Sequence, residues 1–291
     1  MLLRLFPILL TLVLAGCGGA ARATDTSPLP SRHDHPAIRH VVWILMENKS
    51  QDVLDSPGAP YLSGLARTYG YAADDMAIAH PSLPNYIALT SGSTHGVSRD
   101  WSPGIPGQPM TYALDVPSIF SQLRGGRSHS LAESMSRNCE RMNSFPYLVR
   151  HNPEVYYTNL GSDCLSYDVP FRPTPDLSAA FTFVAPNAIN DMHNGTIQDG
   201  NTFLASFVPK LLATAQYRSG TTVIFITWDE SELDSGPNQV PLIVISPYTH
   251  GVVDHRAYTH YSLLRTTEQL LGLPLLANAR TAPSMLGRFG F

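Results

Sequence analysis

The chain has 291 residues, 43% of them apolar, and its 19 basic side chains against 23 acidic ones leave a formal net charge of −4. That length and composition suffice to bury one sizeable core, and no internal repeat divides it, so one α/β domain is the default. With no run of lysine or arginine, recognition of nucleic acid through a basic surface is excluded.

From the N-terminus, residues 1–16 carry one early arginine, an apolar run and then small residues before Cys17. This is the layout of a secretory signal, and it is too short to span a bilayer. Its ending, LAGC, is similar to the lipobox of bacterial lipoproteins. That similarity implies cleavage before Cys17, lipidation of Cys17, and a protein anchored to the outer face of a bacterial membrane; an ordinary signal followed by a chance cysteine is the alternative. Residues 17–37 read as a flexible tether, and residues 38–291 as the folded domain.

Continuous apolar, β-rich runs follow at residues 38–46, 128–134, 179–186, 221–228 and 240–247. Their lack of alternation suits strands buried on both faces of a largely parallel sheet. Between them lie helical patterns at 61–69, 84–91, 117–123, 202–215 and 261–271, with Pro84 expected at the first helical position. The alternation predicts an α/β sandwich, a mostly parallel central sheet with helices on both faces. Segments 93–116 and 135–178 are rich in Pro, Gly, Asn and Tyr and read as loops or a lid. In an exported chain the even pair Cys139 and Cys164 predicts a disulfide stapling the second of these, worth about 3 to 4 kcal/mol on a chain-entropy estimate.

Ligands of open α/β sheets collect beyond the carboxyl ends of the strands. Glu47 and Asn48 follow the first run, Asp229 and Glu230 the fourth, and Asp191 and His193 the third. Such an oxygen-rich set suits a divalent cation, although any single pair is equally a turn or cap. Ser82, just ahead of Pro84, lies where free backbone N–H groups favour an anion. Capping the helix is its alternative role.

The blocks HVVWILMENKSQDVL, HPSLPNYIALTSG, RHNPEVYY, NDMHNG, ITWDES and YTHYSLLRTTEQLLG, in that order, resemble the bacterial phosphoesterase family of acid phosphatases and non-specific phospholipases C, within the alkaline phosphatase superfamily. The resemblance covers most of residues 38–291 and implies an alkaline-phosphatase-like fold. It further implies a metal-dependent phosphoesterase with Ser82 as nucleophile, a phosphoserine intermediate, and Asn85 as a phosphate-binding amide. The metal ligands would be Glu47, Asn48, Ser82, Asp229 and Glu230, around one divalent ion per site. Asp191 and His193 would either bind a second metal or contact phosphate and protonate the leaving group, with Asp191 orienting His193. His80, His151 and His260 fall in matching blocks and would bind the substrate phosphate or act as acid, structural hydrogen bonding being the alternative. The implied substrate is a small phosphate ester, with a phospholipid head group or other diester as the alternative. A non-catalytic, ligand-binding surface lipoprotein is the reading from a different class.

Overall fold

The computed structural model describes residues 35–104, 108–233 and 236–291. The signal segment, Cys17 and nearly all of the tether lie outside the described residues.

Among the described residues ten strands form: β1 (His40–Met46), β2 (Gly70–Met76), β3 (Ser102–Pro103), β4 (Thr111–Tyr112), β5 (Ser128–Ala132), β6 (Asp168–Pro170), β7 (Phe181–Ala185), β8 (Thr222–Trp228), β9 (Gln239–Ile245) and β10 (Val252–Thr259). Eight of them make one sheet in the order β10-β2-β9-β8-β1-β7-β5-β6, and β3 with β4 makes a separate pair. In the large sheet β9 alone runs against its neighbours β2 and β8; every other pairing is parallel.

The helices are α1 (Pro60–Thr68), α2 (Ser82–Ser91), α3 (Ile119–Gln122), α4 (Ser162–Tyr167), α5 (Ile197–Leu212), α6 (Ala215–Arg218) and α7 (His260–Leu270). Side chains on a strand alternate between faces, and β1 shows the result. Val41, Trp43 and Leu45 enter one core with the apolar residues of α2, α3 and α7; Val42, Ile44 and Met46 enter a second core with those of α1 and α5. Both faces are therefore covered, which is why the apolar runs are continuous.

All five expected strands form. Three corrections follow from residues whose setting overrides their pattern. Helix α2 begins at Ser82, so Pro84 is its third residue; the first-turn N–H groups have no intrahelical partner, and a proline costs nothing there. Strand β2 (GYAADDM) and edge strand β10 (VVDHRAYT) were not anticipated, because Asp74, Asp75, Asp254 and Arg256 break their apolar character. Segment 135–178 holds 3-10 turns, helix α4 and edge strand β6 as well as loops. The Cys139–Cys164 disulfide is formed, with a Cα–Cα distance of 5.4 Å.

Candidate active site

The parallel register of β1 and β8 pairs Met46 with Trp228, so the next residues, Glu47 and Asp229, leave the sheet side by side. Asp229 N–H donates to the Met46 carbonyl at 3.1 Å, and Glu47 N–H donates to the Asp191 carbonyl at 2.8 Å. Three strand ends are thus tied by backbone before any side chain takes part. Asn48 turns the chain with φ of 46°, a left-handed conformation that asparagine tolerates better than most residues. Its N–H donates to Asp229 Oδ1 at 3.2 Å and its side-chain amide to Glu230 Oε1 at 2.8 Å.

Ser82 is placed by β2, whose chain leaves the sheet at Met76 and turns into α2. Asn85 makes that turn rigid. Its Oδ1 accepts from Ile78 and Ala79 N–H, each at 2.9 Å, and its amide donates to the Ala79 carbonyl at 2.8 Å. In this structure Asn85 is engaged by the turn rather than turned toward a ligand. The Ser82 hydroxyl, almost wholly buried, donates within reach of Glu47 Oε2 at 3.1 Å and Glu230 Oε1 at 3.3 Å. Tyr86, one helical turn on, donates its hydroxyl to Glu47 Oε1. The Leu83 N–H at the start of α2 is taken by Asp100 Oδ1 at 2.9 Å, so that amide is already occupied by a carboxylate.

The loop after β7 carries the third acidic pair. Asn187 Oδ1 accepts from the N–H groups of Ile189 and Asn190, and the Asn194 N–H closes onto the Ala188 carbonyl at 2.7 Å. A side chain at Gly195 would meet the Ile189 carbonyl oxygen at 2.1 Å, so only glycine permits this closure. Asp191 Oδ1 accepts from the backbone N–H of His193 at 2.7 Å, while its Oδ2 lies 3.0 Å from Nδ1 of His151. Asp191 therefore orients the His151 ring, not that of His193 as expected. The His193 ring instead meets Arg150 Nη2 at 3.0 Å through Nε2 and Asn194 Oδ1 at 3.0 Å through Nδ1. An arginine only donates, so Nε2 accepts and the proton sits on Nδ1.

His151 is buried, stacks on Tyr86, and brings Nε2 to 3.2 Å from Glu47 Oε1. His80, part-exposed, pairs its Nδ1 with Glu230 Oε2. His260, fully buried at the start of α7, bonds Nε2 to the Asp229 carbonyl at 2.6 Å. Burial holds its imidazole down to about 4, an uncharged group at any ordinary pH. That contact places it behind Asp229, where it supports the loop.

Glu47, Asp229 and Asp191 all titrate well above the usual carboxylate range. Burial is the largest cause for each, and the other carboxylates of the cluster push the same way. Glu230 is raised by burial and partly relieved by His80. Like charges confined this way call for a cation.

Orphaned atoms support the same conclusion. Asn48 Oδ1, Asp229 Oδ2 and His151 Nε2 are buried without a hydrogen-bond partner, and such groups are costly unless something completes them. All three are lone-pair donors. The residues thus fit a divalent ion, with mainly hard oxygen ligands from Glu47, Asn48, Asp229 and Glu230 beside the Ser82 hydroxyl. Glu47, His151 and His193 also bring ligand atoms within 4.8 Å of one another. Sequence alone had not grouped these three. Nor had it singled out Tyr86, Asp100 or Arg150, which lie in helix α2, a loop and a 3-10 turn.

Solved structures of similar fold define the class. A protein of the alkaline phosphatase superfamily from Vibrio parahaemolyticus matches with a TM-score of 0.56 at 12% identity, covering 87% of this chain and 72% of its own. The lipoteichoic acid synthase of Listeria monocytogenes matches with a TM-score of 0.55 at 9% identity, over 87% and 74% of the two chains. The fold is that of the alkaline phosphatase superfamily.

Residues 52–274 match the Phosphoesterase family, and the chain belongs to that family. A phosphatidylinositol-3-phosphatase of Mycobacterium tuberculosis is 29% identical over 88% of this chain and 84% of its own length. A probable acid phosphatase of Kluyveromyces lactis is 26% identical over 88% of this chain, which spans 64% of that relative, and a phosphate-repressible acid phosphatase of Penicillium chrysogenum is 27% identical, with 65% of its length spanned. The protein is a hydrolase acting on phosphate esters, which sets aside the non-catalytic alternative.

Proposed function

We propose that the protein hydrolyses phosphate monoesters through Ser82 and a phosphoserine intermediate. The observation that carries this reading is the Ser82 hydroxyl, held at the start of α2 between Glu47 and Glu230. A serine hydroxyl is a weak nucleophile until a neighbouring group takes its proton. The carboxylates of Glu47 and Glu230 lie on that proton, and burial has raised the affinity of both for it. Attack forms the Ser82 Oγ–P bond and breaks the bond from phosphorus to the ester oxygen, which leaves as the alcohol after protonation. Water then cleaves the Oγ–P bond, releasing inorganic phosphate and returning the proton to Ser82.

A divalent cation held by Glu47, Asn48, Asp229 and Glu230 would supply the positive charge that a phosphoryl group needs among four carboxylates. We assign protonation of the leaving alcohol to His80. Its Nδ1 is fixed on Glu230, it is part-exposed, and its Nε2 has no hydrogen bond among the described residues. His193, first expected to donate that proton, keeps Nε2 on Arg150 and is held down by burial and by that guanidinium.

Monoesters are favoured over phospholipase C chemistry because the relatives above are named as phosphatases. The lipobox-like ending at Cys17 supports a reading of export and lipid anchoring at a membrane surface. A panel of p-nitrophenyl phosphate, bis-p-nitrophenyl phosphate, a phosphoinositide and phosphatidylcholine tests the class. Turnover of the first and third supports the reading; hydrolysis confined to the diesters would overturn it.

A further inference from the structure

We infer that Arg150 is the residue that grips the non-bridging phosphoryl oxygens of the substrate, and that Asp100 positions it. The inference rests on the phosphate-ester site proposed above, though not on which atom attacks.

Contacts around Ser82 close into a ring. Ser82 lies on Glu47, Glu47 lies 3.2 Å from His151, and the His151 ring is 5.6 Å from that of His193. His193 meets Arg150 at 3.0 Å, Arg150 Nε lies 3.6 Å from Asp100, and Asp100 holds the N–H of Leu83, the residue after Ser82. Arg150 thus reaches the nucleophile helix through Asp100, and the carboxylate cluster through His193 and His151. The 3-10 turn Val149–His151 carries it, and Asn143 Oδ1 fixes the base of that turn by accepting the Val149 N–H at 2.8 Å.

The guanidinium is underused where it stands. Its side chain is only 18% exposed. Of the five N–H groups of an arginine, one is hydrogen-bonded among the described residues, to His193, and Nε is buried without a partner. The 3.6 Å approach to Asp100 is too long to count as a hydrogen bond. A planar fork with free donors, always charged and held in place, matches two oxygens of a phosphoryl group.

Charge gives the site a reason to need it. Glu47, Asp191, Asp229 and Glu230 are four carboxylates, a divalent ion offsets two of those charges, and a phosphate monoester brings more of the same sign. Lys49 does not fill this need, since its ammonium is held by the Asn48 carbonyl at 2.6 Å and by Glu232 at 3.3 Å. The rival role for Arg150 is a structural counter-charge for the carboxylates, and it predicts different behaviour on substitution.

The test compares wild type with Arg150→Gln, Arg150→Lys and Asp100→Asn, reading the competitive inhibition constant for inorganic phosphate, KM and kcat for p-nitrophenyl phosphate, and the affinity for added Mn²⁺. A phosphate grip predicts that Arg150→Gln weakens inhibition by phosphate about tenfold or more and raises KM in parallel, with Mn²⁺ affinity little changed. Arg150→Lys should recover part of the loss, since it restores charge but not the fork. Asp100→Asn should shift KM more than kcat. Unchanged phosphate inhibition in Arg150→Gln, with altered Mn²⁺ affinity or melting temperature, would overturn the assignment. If Arg150→Gln does not fold, Arg150→Lys decides alone: phosphate inhibition equal to wild type refutes the grip. Failure of the Ser82 reading shows separately, as turnover that survives Ser82→Ala while phosphate still inhibits.

Discussion

The protein buries two groups of carboxylates, and they are completed differently. One, at the carboxyl ends of β1, β7 and β8, comprises Glu47, Asp191, Asp229 and Glu230. The other pairs Glu154 with Asp168, the first residue of edge strand β6, next to Cys164 of the disulfide. In both, burial drives the carboxyls upward, Asp168 to about 7.

The second group closes on itself. Ser130 donates to Glu154 Oε2 at 2.6 Å, and the Asn152 amide donates to Asp168 Oδ2 at 2.9 Å. Among the described residues of this group, only Asn152 Oδ1 lacks a partner. The first group leaves Asn48 Oδ1, Asp229 Oδ2 and His151 Nε2 open. Buried acid by itself is therefore no sign of a site. Lone pairs left open on the neighbours of one hydroxyl's carboxylate partners are.

The largest expected effect breaks the first group at its nucleophile. Ser82→Ala should lower kcat/KM for p-nitrophenyl phosphate by about 10³ or more, roughly 4 kcal/mol of transition-state stabilisation, while its far-ultraviolet circular dichroism stays that of wild type. Asp168→Asn should leave kcat/KM within about twofold.

Removing the cation comes next. Dialysis against a chelator should abolish turnover, and one of several divalent ions should restore it. Saturating ion should also raise stability, by about 2.7 kcal/mol at a hundredfold excess over Kd. Asp229→Asn should lose that gain, and differential scanning calorimetry on both variants compares the groups directly: in Asp168→Asn the gain should persist.

A smaller effect belongs to pH. The folded Asp168 holds its proton to about 7, above its unfolded value, so its contribution is complete below the unfolded value and is lost as pH rises through 7. Asp168→Asn should flatten the fall in melting temperature between pH 5 and 8. The difference should be on the order of 1 kcal/mol at the alkaline end, and a parallel fall in both proteins would contradict it.

Much of this was legible in the sequence, for reasons that residues make plain. Strands buried on both faces show themselves as unbroken apolar runs, and Glu47, Asp229 and Asp191 stood out because each follows one. Strand β2 did not show, since Asp74 and Asp75 hide it. Arg150 and Asp100 were invisible for another reason: their roles come from contacts with His193 and Leu83, far away in sequence and joined only by the fold. The exchange of partners between His151 and His193 at Asp191 is likewise a matter of loop geometry, fixed by Asn187 and Gly195.

The central claim, that Ser82 takes the phosphoryl group inside a cation-requiring carboxylate cluster, is tested most directly by quenching the enzyme in acid during turnover of p-nitrophenyl phosphate and mapping its peptides by mass spectrometry. The expected result is one phosphoryl group on Ser82, absent after chelation and absent from Ser82→Ala. Phosphoryl carried on another residue, or Ser82→Ala turning over at the wild-type rate, would contradict the account.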